Sequence, residues 1–141
     1  TQMWEKTLGV EVEIQNVEWA TYLQDLNRQR LQVFAGIGWE ADYPDPQNFL
    51  DVLFFSQSNL NHGAYSNPIV DDMLEKARIE SNLGVRMGLY NRAEEIIVND
   101  AAWLPLWYGG ERYVLIKPYI KGYKMTPLIV SKLKDVYIEK D

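Results

Sequence analysis

The first third of the chain carries a hydrophobic pattern that few folds can accommodate. Apolar and polar side chains alternate over residues 9–15 and again over residues 31–39, which is typical of strands with one buried face. Between these two stretches, apolar side chains recur at helical spacing over residues 19–26. A strand, a helix and a second strand within about 30 residues predict a right-handed βαβ unit with parallel strands.

The rest of the pattern predicts three helices and three short strands, so we expect the α/β fold class. Pro46 favours a helix over residues 47–55, Asn67 followed by Pro68 is a typical helix start, and a third helix is predicted over residues 84–98. The predicted strands cover residues 104–108, 112–116 and 136–138. The side chains predicted to face the core in the two longer helices are Ile69, Val70, Met73, Leu74, Ala77, Val85, Leu89, Ala93, Ile96 and Ile97.

Composition excludes several classes of function for these 141 residues. Fourteen basic against twenty acidic residues give a net charge of −6, which argues against nucleic acid as a partner. The apolar runs are far shorter than the about 20 residues that cross a bilayer. The absence of cysteine excludes disulfides and thiolate metal sites. Aromatic residues reach 13%, a content that favours both cores and ligand clefts.

Residues 36–46 are the densest candidate site, because they follow a predicted parallel strand, where ligands of open α/β sheets bind. Gly36 and Gly38 leave backbone uncovered, Trp39 offers an apolar wall, and Asp42 offers an anion. A purely structural interpretation also fits: the glycines relieve crowding, Trp39 belongs to the core, and Asp42 caps a turn. The residue pattern leaves both interpretations open.

Enzymatic and metal-binding interpretations find little support in the sequence. Asp42 and Asp45 lie three residues apart in a proline-rich turn, which defines no acid/base separation. His62, the single histidine, has no adjacent acid or nucleophile, and the acids lack the order of a calcium loop. The sequence therefore predicts no enzyme, no metal and no cofactor.

Four collinear motifs, covering essentially the whole chain, resemble the family 5 extracellular solute-binding proteins, the peptide-capturing subunits of ABC importers. The segment GWEADYPDPQNFL at residues 38–50 resembles the family's G-W-x-x-D-x-x-D-P-x-x-F-L signature. Asn61 with residues 64–68 and Asp71 resembles the family's N…Y-x-N-P-x-x-D motif. Arg86 with residues 89–90 and 93–94 resembles its R-x-x-x-Y-x-x-A-E motif. Residues 100–101 with residues 104–106 resemble its D-A-x-x-x-P-L motif. Gly122 and Tyr123 follow near the expected distance from the C-terminus.

The resemblance implies a fragment from the C-terminal lobe of a two-lobed, class II-type periplasmic binding protein. Residues 1–110 would form most of the ligand-binding lobe, and residues 111–141 would return toward the N-terminal lobe. The apolar side chains of residues 111–141 would then need other cover, so we expect a rearranged tail or a dimer of the fragment.

The resemblance also implies roles for individual residues. Asp42 would receive the α-ammonium of a peptide, and the backbone of residues 38–40 would pair with the ligand like a neighbouring strand. Further residues expected to line the cleft are Trp19, Asn61, His62, Trp107 and Tyr108. Gly36 stands where some relatives carry an arginine that can meet a ligand carboxylate, so the ligand's C-terminus would be held elsewhere.

The expected function is peptide capture for an ABC importer, in the periplasm or outside the cell. The partners would be a peptide and the importer's permease subunits, with contact to the membrane only through the permease or a lipid anchor. Two alternatives stay open: a receptor for another solute (a sugar, a nickel complex or an opine), and an interaction module without a role in transport.

Overall fold

The computed structural model describes residues 1–106, 113–126 and 132–139. Within these residues, five helices precede two short strands. The helices are α1 (Gln2–Leu8), α2 (Trp19–Asn27), α3 (Gln47–Phe54), α4 (Pro68–Ile79) and α5 (Leu83–Asn99), and the strands are β1 (Ile120–Lys121) and β2 (Tyr137–Ile138).

The hydrophobic core of the described residues lies between α3, α4 and α5. Each of these helices has an apolar stripe at helical spacing, and burying three such stripes together removes their side chains from water. The buried apolar residues of this core are Leu50, Leu53, Phe54, Phe55, Val70, Leu74, Ala77, Tyr90, Ala93 and Ile97. The segment that precedes α3 is thereby attached to the best-packed part of the chain.

Side-chain caps set the start of the two longer helices. The Asn67 side chain accepts a hydrogen bond from the Ile69 backbone N–H, and Pro68 occupies the first helical position. The Asn82 side chain accepts a bond from the Val85 N–H in the same manner. The helices predicted from Asn67–Pro68 and over residues 84–98 are thus confirmed, with bounds shifted by at most a residue or two.

Two side chains predicted to face the core do not. Ile69 and Val85 both lie in the first turn of their helices and are exposed, whereas Val70 and Leu74 are fully buried. Val70 lies in the same turn of α4 as Ile69 and is buried, so the exposure of Ile69 depends on the side of the helix from which it projects. Helical periodicity identified the buried stripe but not its edges.

The predicted βαβ unit is wrong for the described structure. Its helix is present as α2, but residues 9–15 and 31–39 are not strands, and neither are residues 104–106 and 113–116. A strand is defined by ladder hydrogen bonds to a neighbour, and alternation of side chains supplies only the pattern. Val33 is 83% exposed, so this segment does not bury its apolar face as a strand would, although Trp39 at its end packs against the core. The fold is therefore mixed, mainly helical with little strand.

The described strand pairing is a two-stranded antiparallel sheet, which confirms the predicted strand over residues 136–138. Ile120 is paired with Ile138 and Lys121 with Tyr137. Gly122 follows β1 with a φ of +76°, a left-handed conformation that favours glycine. The predictions over residues 107–108 and at residue 112 lie outside the described residues.

Candidate functional site

The turn between Trp39 and α3 is organised by one buried amide, Asn48. Its Oδ1 accepts hydrogen bonds from the Trp39 indole Nε1–H at 3.3 Å and from the Asp42 backbone N–H at 3.0 Å. Its Nδ2 donates to Asp42 Oδ2 at 3.4 Å. Asn48 is only 2% exposed, and Asp51, one turn later on the same side of α3, is buried as well. The two most prominent side chains of the predicted site are thus held by the same group.

Asp42 itself is exposed at this turn. Within residues 1–106, 113–126 and 132–139, no lysine or arginine forms an ion pair with the Asp42 carboxylate. A carboxylate held at one edge by an amide and open to solvent at the other can accept a hydrogen bond from an incoming cation. Asp42 is therefore available for the role that the sequence predicts.

A bidentate ion pair fixes the other end of the turn. Arg86 Nη1 and Nη2 each donate to a different oxygen of Asp45, both at 2.8 Å. Asp45 Oδ1 also accepts from the Gln47 N–H at 2.9 Å, which caps the start of α3. The hydrogen bonds from Arg86 hold the pKa of Asp45 below its usual range, although desolvation opposes this shift. Asp45 is thus a structural anchor and does not form a catalytic pair with Asp42.

Residues of α4 and α5 in turn hold the Arg86 side chain in place. Its Nε donates to the Ala77 carbonyl at 3.1 Å, and its guanidinium carbon lies 4.9 Å from the centre of the Tyr90 ring. The hydrogen bonds that Arg86 donates to Asp45 raise the pKa of Arg86, so the guanidinium stays charged. The proline-rich turn is therefore connected to the three-helix core through a charged side chain as well as through the chain itself.

An apolar cavity of about 100 Å³ lies beside Trp39. Its lining residues are Ile37, Gly38, Trp39, Leu53, Leu60, His62 and Trp103. The cavity brings together three residues of the predicted site, Gly38, Trp39 and His62. Pockets of this kind, apolar with a few polar groups at the edge, favour apolar parts of a ligand.

The backbone at Gly38 is open to approach from outside. A Cβ added at Gly38 would meet no heavy atom of the described residues within 4 Å. Gly36, two residues earlier, has a φ of +90°, which a larger residue would adopt only with strain. Backbone conformation therefore favours glycine at Gly36, whereas a side chain at residue 38 would be tolerated by the described structure.

Asn61 organises a loop in the described structure. It is 2% exposed, its Nδ2 donates to the carbonyls of Phe55 and Tyr65, and its Oδ1 accepts from the Tyr65 N–H. These three bonds use both N–H groups and one acceptor position of the amide, so its side chain shapes the loop that carries His62.

The other predicted site residues are more scattered. Glu40 is exposed next to the turn. Trp19 is exposed on α2 and stacks on Tyr22, whose hydroxyl donates to the Ala35 carbonyl at 2.7 Å. Trp107 and Tyr108 lie outside the described residues.

Sequence reasoning missed Asn48 and the partnership of Asp45 with Arg86. Asn48 occupies an unspecified position of the signature that resembles the family's. One signal was present: Asn48 and Asp51 are polar residues on the same side of α3 as apolar ones, and polar side chains in such positions need partners. Nothing in the local sequence indicates that the partner of Asp45 is 41 residues away.

The described residues include neither a helix that could span a membrane nor a cluster that could hold a metal ion. None of their helices combines the length and apolar character that a membrane crossing requires. In the same part of the chain, no three His, Asp or Glu side chains come together in a way that could hold a metal ion.

Comparison with known proteins shows which family the chain is similar to. Residues 1–61 match the family model described as bacterial extracellular solute-binding proteins, family 5 Middle. Over these residues the chain is similar to the family 5 solute-binding proteins. Members of this family are solute-binding receptors and not enzymes.

Several relatives are similar over nearly the whole chain. The chain is 37% identical to the periplasmic murein peptide-binding protein MppA of Escherichia coli over 140 residues, which are 98% of this chain and 25% of MppA. It is 33% identical to the periplasmic oligopeptide-binding protein OppA of Escherichia coli, over 99% of this chain and 25% of OppA. The chain thus spans about a quarter of the length of these relatives.

A solved structure extends this similarity to the backbone. The periplasmic binding protein DppA from Helicobacter pylori, in complex with the peptide STSA, matches with a TM-score of 0.78 and 34% identity. The match covers 99% of this chain and 28% of DppA.

Proposed function

We propose that this chain forms part of the peptide-binding receptor of an ABC importer and provides one wall of the ligand cleft. The observation that carries the proposal is the exposed Asp42 carboxylate, which an amide holds beside Trp39 and the open backbone of Gly38. The family's relatives named as oligopeptide-binding and murein peptide-binding proteins support the choice of peptide as ligand.

The arrangement matches the chemistry of an extended peptide. Such a ligand offers an ammonium group at one end, a row of backbone donors and acceptors, and side chains that vary. Asp42 would accept charge-assisted hydrogen bonds from the ammonium, and the backbone of residues 38–40 would pair with the ligand backbone. The cavity beside Trp39 and His62 would accept part of an apolar side chain.

The larger context follows from the same proposal. Residues 1–110 would belong to the C-terminal lobe of a two-lobed receptor, and residues 111–141 would return toward the N-terminal lobe. The receptor would act in the periplasm, as the names of MppA and OppA state for those relatives, and would deliver peptides to permease subunits without catalysis. Trp19, Asn61, Trp107 and Tyr108 remain proposed cleft residues.

Calorimetry on the intact receptor tests the role of Asp42. The Asp42→Asn substitution keeps the shape of the side chain but removes its charge, and charge-assisted bonds contribute about 1.5–3 kcal/mol. We expect the affinity for a tripeptide with a free amino group to fall roughly ten- to a hundred-fold.

A matched control is available on the surface of α4. Asp72 is an exposed carboxylate paired with Lys76, so Asp72→Asn removes the same charge without touching the turn. This variant should bind the tripeptide like the wild type. Equal affinities for wild type and Asp42→Asn would contradict the proposed role, and a wild-type receptor that binds no peptide would overturn the proposed function.

A further inference from the structure

Asn48 directs its whole amide group away from its own helix and toward the preceding turn. Its Oδ1 serves two donors, the Trp39 indole and the Asp42 backbone, and its Nδ2 reaches the Asp42 carboxylate. The three contacts reach six and nine residues back along the chain. A buried amide that serves only packing would need no such set of partners, because an apolar side chain of similar volume would fill the space.

The three contacts constrain three different features of the turn. The bond to Trp39 restrains the rotation of the indole about its side-chain torsions, and the bond to the Asp42 backbone fixes the path of the turn. The bond from Nδ2 then selects the direction of the Asp42 carboxylate. Because one rigid planar group makes all three contacts, the ring, the turn and the carboxylate are held in one mutual arrangement.

We propose that Asn48 is a positioning residue for ligand binding: it orients the Asp42 carboxylate toward the ligand ammonium and fixes Trp39 beside the ligand backbone. This inference rests on the proposed peptide-binding function. A carboxylate already oriented loses less freedom when the ligand arrives, and such preorganisation increases affinity. Asn48 does not contact the ligand in this arrangement, so its effect passes through Asp42 and Trp39.

Two substitutions separate positioning from folding. Asn48→Leu has a similar volume and removes every hydrogen bond, which leaves the Trp39 and Asp42 N–H groups without this acceptor. Asn48→Ser keeps one hydroxyl that can accept from one N–H and donate to the carboxylate, so it retains part of the arrangement. Urea unfolding of each variant identifies any general loss of the fold.

The decisive measurement compares two tripeptides of the same sequence, one with a free amino group and one acetylated at that group. Calorimetry on the intact receptor gives the preference for the free amine, which reports on Asp42 alone. We expect Asn48→Leu to reduce this preference about ten-fold and Asn48→Ser to reduce it less, since each lost bond weakens binding by up to roughly ten-fold. In the double variant with Asp42→Asn, the loss of Asn48 should bring no further reduction of the preference, because both changes remove the same interaction.

The outcomes distinguish the inference from the proposed function. Equal losses of affinity for both tripeptides in Asn48→Leu, or losses that add in the double variant, would overturn the positioning role while peptide binding stands. A preference that disappears in Asp42→Asn but persists in both Asn48 variants would do the same. A wild-type receptor that binds neither tripeptide would overturn the proposed function and this inference together.

Discussion

Arg86 and Asp45 are 41 residues apart in the sequence and share two parallel N–H···O bonds of 2.8 Å. The pair connects the turn that carries Asp42 to the helix α5, and Asp45 also caps α3. A planar guanidinium that donates to both oxygens of a carboxylate fixes direction as well as distance. The position of the candidate ligand site relative to the three-helix core therefore depends on this pair.

Replacing Arg86 with methionine should destabilise the fold by about 2 kcal/mol, because hydrogen bonds to charged groups contribute about 1.5–3 kcal/mol and Asp45 would lose both of them. Urea unfolding of the chain at neutral pH measures the change in the free energy of unfolding. Arg86→Lys retains the charge but not the bidentate geometry, so it should be more stable than Arg86→Met but less stable than the wild type. Full stability of Arg86→Met would show that the pair contributes nothing to the fold.

Stability should depend on pH through Asp45. Its folded pKa is lowered by Arg86, so its contribution to stability is present above the unfolded pKa of about 3.9 and is lost as pH falls through the folded pKa. Asp45→Asn keeps an oxygen that can cap α3 but abolishes the ion pair. The difference in unfolding free energy between wild type and Asp45→Asn should therefore be constant at neutral pH and shrink below about pH 4. A difference that grows on acidification would contradict this assignment.

A second ion pair lies deeper in the core and should behave differently. Asp51 on α3 is 4% exposed and accepts a hydrogen bond from Arg78 Nε at 2.9 Å, while its Oδ2 has no hydrogen-bond partner in the described part of the chain. Arg78→Leu would leave a buried carboxylate uncompensated, which costs about 3–5 kcal/mol. Adding Asp51→Leu removes that charge, so the double variant should be more stable than Arg78→Leu alone. Unfolding free energies of the two variants check the order, and the reverse order would exclude a buried uncompensated charge as the cause.

Local signals made the helices predictable. Asn67 with Pro68 specifies both a cap and a first-turn residue, and these act within a few residues of one another. The apolar stripe of α4 likewise follows from spacing alone, as Val70 and Leu74 demonstrate. The predicted strands over residues 9–15 and 31–39 depended on a partner backbone that alternation cannot specify, and this is why they were wrong.

The residues of the candidate site likewise include some that a local sequence pattern predicts and others that depend on distant partners. Trp39, Gly38 and Asp42 were predictable because a motif names them, and the structure brings them together in one turn. The groups that hold this turn were not predictable, since Asn48 acts through hydrogen-bond geometry and Arg86 acts across a long stretch of chain. Sequence patterns thus predicted residues that are proposed to meet a ligand, but not the residues that hold them in place.

Gly122→Ala should disrupt the pairing of β1 with β2. A Cβ at Gly122 would lie 2.0 Å from the Asp135 backbone oxygen, and its φ of +76° is itself unfavourable for alanine. Because the obstacle is backbone and not the end of a flexible side chain, the two strands must move apart. Hydrogen exchange of the amide of Glu139, which donates to the Tyr119 carbonyl at 2.8 Å, should become faster. Unchanged protection of this amide would contradict the predicted clash.

Unlike Gly122→Ala, the Gly38→Ala substitution should have little effect on stability but should weaken peptide binding. A Cβ at Gly38 meets nothing within 4 Å and needs no unusual φ, so the unfolding free energy should change by less than about 0.5 kcal/mol. The same methyl group would stand where the ligand backbone is proposed to pair, and we expect the affinity for a tripeptide to fall about ten-fold. Calorimetry on the intact receptor measures this loss, with Gly88→Ala as the control, because a Cβ at Gly88 also meets open space but lies on the exposed side of α5. Equal affinities for Gly38→Ala and Gly88→Ala would show that the ligand backbone does not approach residue 38.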